Sequence, residues 1–140
     1  MSSTPDDVEL AFYEAMQHAD LDLMMECWAE DEDIICIHPH GERLVGHAAI
    51  RASFEQLFQA AESLDVKVQN IVKSKSLDGA MHSVVEVVPV PMEDGVVTGY
   101  ILATNVYLRT AHGWRMVAHH ASPASMDMPV QEAANTQTLH

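Results

Sequence analysis

The 140-residue chain is short of cations: Lys and Arg number 7 against 21 Asp and Glu, a formal net charge of −14. Binding to a phosphate backbone depends on Lys and Arg displacing counterions, so this balance argues against nucleic acid and anionic membrane surfaces as partners. Cysteine is scarce as well. Cys27 and Cys36 lack CxxC spacing and lie in apolar segments, which reads as buried free thiols in a reducing cytoplasm. No apolar run approaches the roughly 20 residues that a bilayer span needs. The opening Met1-Ser2-Ser3-Thr4-Pro5-Asp6-Asp7 has neither the basic nor the apolar region of a secretory signal, so a cytoplasmic location is expected. The six glycines are scattered, with no phosphate-cradling loop and no Gly-x-Ser-x-Gly elbow. No HExxH or repeated His/carboxylate spacing appears among the nine histidines, and neither a metal nor a cofactor is expected.

What is present is a globular composition, 48% hydrophobic with a mean hydropathy of −0.03, at the length of one domain. Thr4-Pro5-Asp6-Asp7 reads as a helix start: a capping hydroxyl, proline at the first helical position, and carboxylates at the positive end of the dipole. Val8, Ala11, Phe12, Ala15, Met16 and Ala19 then make one apolar stripe at helical spacing. Asp20 caps a second, short helix with Leu21, Met24, Met25 and Trp28 on its apolar side, and the two should fold back as a hairpin. Ile34 to His38 is a first strand halted by Pro39, and Arg43 to Val45 a brief extended piece. A third helix is predicted from about His47 to Ala61, with Ile50, Phe54, Leu57, Phe58 and Ala61 on one face. From there the period switches to two. Strands are predicted near 65–75, 80–90, 96–109 and 114–122, divided by Asp78-Gly79, Glu93-Asp94-Gly95 and Ala111-His112-Gly113.

Helices first and hairpin-linked strands afterwards define an α+β domain over residues 1–123 with an antiparallel sheet. Residues 124–140 hold few large apolar side chains and read as a flexible tail. Strict alternation in the last strand puts Trp114, Met116, Ala118, His120 and Ser122 on one face, and Arg115, Val117, His119 and Ala121 on the other. Neither face is cleanly polar. A sheet with two mixed faces is usually covered by a second layer, which points to a homodimer through the outer sheet face.

The ordered segments Ala19-Asp20-Leu21-Asp22, Trp28-Ala29-Glu30-Asp31, Cys36-Ile37-His38-Pro39, Leu44-Val45-Gly46 and Ile50-Arg51-Ala52-Ser53-Phe54 carry a resemblance. So do Thr104-Asn105-Val106 and Gly113-Trp114-Arg115 through His120-Ala121-Ser122-Pro123. From about Val8 to Pro123 the chain resembles the SnoaL-like branch of the nuclear transport factor 2-like (NTF2-like) superfamily. That resemblance implies a cone, three N-terminal helices packed in a strongly curved antiparallel sheet, with a pocket at the open end and dimers through the outer face. It does not fix a reaction, because the superfamily hosts enzymes, ligand binders and assembly domains. In its ketosteroid isomerases a general-base Asp precedes a Pro at the end of the first strand, the place similar to His38-Pro39. An oxyanion donor on the penultimate strand corresponds to Asn105, and the isomerase Tyr falls at Phe12, one residue from Tyr13. The pocket arginines of the calmodulin-dependent kinase association domains correspond to Glu86 and Asn105, so an arginine-lined acid site is not reproduced.

Each position has a plainer reading beside the functional one. His38 is either a base matched to neutral pH or a strand-end histidine bonded to backbone. Asn105 either donates to an oxyanion or pairs with a backbone group or with another pocket residue such as His120. Glu86, inside Val84-Val85-Glu86-Val87-Val88, either points inward and meets Arg43, His38 or His120, or faces outward at a dimer seam or the solvent edge. Tyr13, Trp28, Phe54, Glu86 and His120 are the expected pocket lining, with Trp28 and Phe54 as wall. Three functions follow: a binder of a small apolar or carbonyl-bearing ligand, an isomerase or cyclase using His38 as base with Asn105 as donor, or a dimeric assembly module with a vestigial pocket.

Overall fold

The computed structural model describes residues 3–61 and 63–124; the expected flexible tail lies, past Ala124, outside the described residues. Helix α1 spans Pro5–His18 and starts as predicted. The Thr4 hydroxyl accepts from the Asp7 amide at 3.1 Å, and the Asp7 carboxylate accepts from the Thr4 amide at 3.1 Å. Such a reciprocal cap stabilises a helix by about 1 kcal/mol. Ala19 turns the chain with φ 51°, and Asp20 then caps α2, Leu21–Glu26, by accepting from Leu23 N at 3.0 Å. This second helix is shorter than the sequence suggested. Trp28 lies beyond it in a bridge parallel to Met116, held by Met116 N to Cys27 O at 2.7 Å and Ala29 N to Met116 O at 3.0 Å.

The short strands β1, Ile35–Ile37, and β2, Leu44–Val45, pair antiparallel and lead into α3, His47–Ala60. Gly46, at φ 93°, opens α3 in a conformation that a side chain would strain. Four long strands follow: β3 Lys67–Lys75, β4 Gly79–Met92, β5 Gly95–Thr110 and β6 Gly113–Pro123. They form an antiparallel meander in a six-stranded curved sheet of order β2-β1-β6-β5-β4-β3. The join of β1 to β6 is parallel, with Cys36 opposite His119. Hairpin reasoning cannot reach that pairing, because most of the chain separates the two strands.

Helix α1 buries Val8, Phe12, Ala15 and Met16 from the predicted stripe, and also Glu9 and Tyr13. Phe12 is fully buried at the centre of the helical layer. Its ring stands edge-on to Trp28 at 6.4 Å and Phe54 at 6.1 Å, and tilted against His119 at 4.9 Å. Burial of a side chain of this size stabilises the fold by roughly 2–3 kcal/mol.

Two bulges shape the sheet. In β3, Asn70 and Ile71 stand opposite Val84 alone, and Asn70 adopts φ 51°. In β6, Tyr107 pairs with Met116 but Val106 pairs with Ala118, so Val117 is one residue too many. The side-chain period in a strand is two, so one extra residue reverses every later side chain. The inward face therefore reads Trp114, Met116, His119 and Ala121, not Trp114, Met116, Ala118 and His120. The expected orientation of the two adjacent histidines is overturned: His119 is buried and His120 exposed.

Candidate functional site

Between α3, the C-terminal half of α1 and the concave sheet lies a cavity of about 500 Å³. Its walls are largely apolar, with Met16, Leu57, Val66, Val88 and Ile101 among them, and its polar side chains are His38, Ser53, Gln56, Glu86 and His119. Among the described residues no Lys or Arg lines it. Pro39 ends β1 at the rim and leaves His38 facing inward, its ring edge-on to Phe54 at 5.1 Å. Helix α3 brings Ser53 one residue before Phe54, so its hydroxyl reaches His38 Nε2 at 2.9 Å while Phe54 enters the core. Burial lowers the His38 pKa, so its imidazole is neutral at physiological pH.

Glu86 points inward from β4 and is 4% exposed. Its Oε2 accepts from the Tyr13 hydroxyl at 2.7 Å and lies 3.9 Å from His119 Nε2, beyond hydrogen-bond reach. Burial raises the Glu86 pKa to about 7; the Tyr13 bond opposes that rise and the charge of Glu9 adds to it. The partners expected at an inward Glu86 were Arg43, His38 or His120. Arg43 and His120 are exposed, and Tyr13 and His119 take that place.

A second polar layer lies behind this one. Glu9 Oε2 receives the Tyr107 hydroxyl at 2.9 Å, Asn105 Nδ2 at 3.3 Å and His82 Nδ1 at 3.0 Å. Three donors on one oxygen let a carboxylate remain buried. Asn105 Nδ2 also donates to Tyr13 Oη at 3.1 Å, and Asn105 Oδ1 accepts from His119 Nδ1 at 2.6 Å. Glu9 fixes this orientation, since a flipped amide would set its oxygen against the carboxylate. With Nδ1 donating, neutral His119 carries its lone pair on Nε2. Burial lowers the His119 pKa to about 3, with smaller contributions from His38 and His120.

The residues expected at a pocket are thus divided. His38 and Glu86 line the cavity; Tyr13 and Asn105 sit behind it, the amide hydrogens of Asn105 directed to Glu9 and Tyr13. Trp28 and Phe54 belong to the core, where no acceptor among the described residues meets the Trp28 indole N–H. His120 lies on the outer face opposite Thr104. Glu9, Ser53, His82 and Tyr107 were not singled out in the sequence, and His119 was expected on the opposite face. The spacing of Glu9 to Tyr13, four residues on one helix face, and the shared parity of His82 and Glu86 on one strand were the signals for two of them. Cys27 and Cys36 are free thiols whose pKa burial pushes up to about 12, which removes both as nucleophiles. Among the described residues no group of three or more His, Cys, Asp or Glu side chains is placed to hold a metal ion, and no helix is long and apolar enough to cross a membrane.

A curved sheet closed over three helices, with a polar-ended apolar cavity between them, defines a pocketed α+β cone of the nuclear transport factor 2-like superfamily. The profile of the SnoaL-like domain matches residues 7–126, and the chain belongs to that family. A provisionally assigned calcium/calmodulin-dependent protein kinase type II association domain from Thiobacillus denitrificans is similar at 40% identity and TM-score 0.78, over 89% of this chain and 98% of that one. A provisionally assigned dehydratase of the nuclear transport factor 2-like family from Streptomyces avermitilis is similar at 27% identity and TM-score 0.73, over 84% and 92%. A ketosteroid isomerase-like protein from Erwinia carotovora atroseptica, at 14% identity and TM-score 0.68 over 86% and 93%, shares the fold. No curated protein matches the chain.

Proposed function

We propose that this chain is a small-molecule-binding domain whose ligand occupies the cavity at the open end of the cone. The observation that carries this reading is the convergence of two almost fully buried polar side chains, Glu86 and His119, with His38 and Ser53 on an otherwise apolar cavity of about 500 Å³. Ligand sites combine these features: apolar walls for affinity and a few fixed polar groups for orientation. Ala60 lines the cavity at the end of α3 and is exposed, so Ala60→Trp plugs the mouth without disturbing the core. A neutral naphthylamine dye should show blue-shifted emission with the wild-type chain and lose it with Ala60→Trp. An unchanged dye response in the plugged variant would place binding elsewhere.

A catalytic reading has one observation in its favour: Glu86, titrating near neutrality, and the neutral imidazole of His38 share the cavity. In such an enzyme His38 abstracts a proton α to a carbonyl and protonated Glu86 donates to the oxygen, since Asn105 has no free amide hydrogen. Deuterium exchange of a bound ketone at equal rates in wild type and His38→Ala would end that reading.

Self-association through the outer sheet face is also proposed. Cross-strand rows Met81–Val106–Ala118 and Val85–Leu102–Ser122 flank Ser83–Thr104–His120 there, and Met81 and Leu108 are exposed large apolar residues on the sheet. The 40% identity to a provisionally assigned association domain supports it. Thr104→Arg sets two like charges face to face across a two-fold interface and should yield a monomer in light scattering; a wild-type monomer at micromolar concentration counts against the dimer. The two buried thiols support a reducing, cytoplasmic setting.

A further inference from the structure

The wall of the cavity presents acceptors, and this sets the chemistry of what fits there. His119 donates from Nδ1 to Asn105 Oδ1 at 2.6 Å, so Nε2 offers a lone pair. Glu86 uses Oε2 toward Tyr13, which as donor leaves the carboxylate free to accept. These two groups, 99% and 96% buried by exposures of 1% and 4%, stand 3.9 Å apart with no hydrogen bond between them. Two acceptors at that spacing repel the oxygen of a carbonyl or a carboxylate placed between them. They suit a head group with several N–H donors, and a cation most of all, because no Lys or Arg among the described residues lines the cavity to offset Glu86. The remaining wall is hydrocarbon and takes an apolar body.

We propose that the cavity takes a primary amine, its ammonium head seated between Glu86 and His119 and a compact apolar body lying against Leu57, Val88 and Ile101. Glu9 sets this preference from behind: it fixes the Asn105 amide, Asn105 fixes the His119 tautomer, and the tautomer turns an acceptor toward the ligand. The inference rests on the small-molecule reading above and names the ligand class for the same cavity.

Binding of the ammonium form should depend on pH. The titratable groups around Glu86 are Tyr13 and Glu9 from α1, Cys36 and His38 from β1 and its end, and His119 from β6; α3 and β5 bring the non-titrating Ser53, Gln56 and Asn105. Tyr13 and Cys36 stay protonated and His38 and His119 stay neutral over most of the range from pH 6 to 8. Glu86, with a pKa of about 7, changes from mostly acid to mostly carboxylate across it. Affinity for an amine therefore rises by up to about tenfold between pH 6 and pH 8, as the competent fraction does.

The test is calorimetric titration of the full chain with n-hexylamine, n-hexanol and hexanoate, which share one apolar body. At pH 8 the amine should bind about tenfold or more tighter than the alcohol, as a buried charge-assisted hydrogen bond allows, and hexanoate should bind weakest. Glu86→Gln should keep the native circular-dichroism spectrum, which reports a folded domain, and lose both the amine preference and the pH slope. His119→Gln should keep part of the preference. Hexanoate binding as tightly as the amine, or an amine preference intact in Glu86→Gln, overturns the proposal while leaving the cavity a binding site. Failure of all three compounds to bind overturns the small-molecule reading and this proposal with it.

Discussion

Glu86 should make the folded state less stable as the medium turns alkaline, and the size of the effect follows from its surroundings. An unfolded Glu titrates at 4.5, whereas in the fold burial and the nearby Glu9 hold its proton until about pH 7. Between those values the native chain binds more protons than the unfolded one, so stability falls as pH rises through this window. The full penalty is present above it. At about 1.4 kcal/mol for each tenfold change in proton affinity, the rise amounts to about 3 kcal/mol. Glu86→Gln keeps a carbonyl oxygen for the Tyr13 hydroxyl and removes the titration. Urea denaturation followed by the fluorescence of buried Trp28 and Trp114 reads the stability of both proteins. Carboxylates that do not interact with Glu86 cancel in the difference between variant and wild type. That difference should shift by about 3 kcal/mol in favour of the variant between pH 4.5 and pH 8. A difference that stays flat, or shifts the other way, refutes the placement of Glu86 as a buried, proton-holding carboxyl.

His119 acts in the opposite sense. Its folded pKa of about 3 lies below the unfolded 6.5, so stability is lost as pH falls through that window. His119→Gln should flatten the acid limb of the same denaturation series; an unchanged limb contradicts its burial. Phe12→Tyr places a hydroxyl in a fully buried aromatic nest and should cost about 1–3 kcal/mol in urea melts. A neutral result would mean that the hydroxyl finds a partner. Neither Cys27 nor Cys36 should react with a colourimetric disulfide reagent at pH 7.5 in the folded chain, and both should react in urea. Rapid labelling of the native protein would contradict their burial.

Periodicity was sufficient for the elements and insufficient for their faces. The helical stripe of α1 and the turn dipeptides between strands are local signals, and the structure follows them to within a few residues. A bulge has no such signature. Val117 is an unremarkable strand residue in sequence, yet its insertion opposite the Val106–Tyr107 step exchanges the roles of His119 and His120. The parallel pairing of β1 with β6 was equally hidden, because it is decided by the closure of the cone and not by any neighbouring residue.

The same limit explains why half of the site could be read and half could not. His38 and Glu86 announce themselves as polar residues in apolar strands, and each can be questioned alone. Glu9 cannot, because on a helix with Glu14 and Asp7 nearby it passes for one more solvated carboxylate. Its meaning appears only when α1 lies across β4 and β5, where His82, Asn105 and Tyr107 turn toward it. Those partners come from two strands, each donating to one oxygen, and no single one of them demands a carboxylate. Once Glu9 is in place the remaining bonds have only one consistent direction. The Asn105 amide must give its hydrogens to Glu9 and Tyr13, Tyr13 must pass its own to Glu86, and His119 must donate to Asn105. The acceptor character of the cavity is therefore a property of the buried network behind it. Loss of Glu9 would free the Asn105 amide to rotate, and with it the His119 tautomer, without touching a residue that lines the cavity.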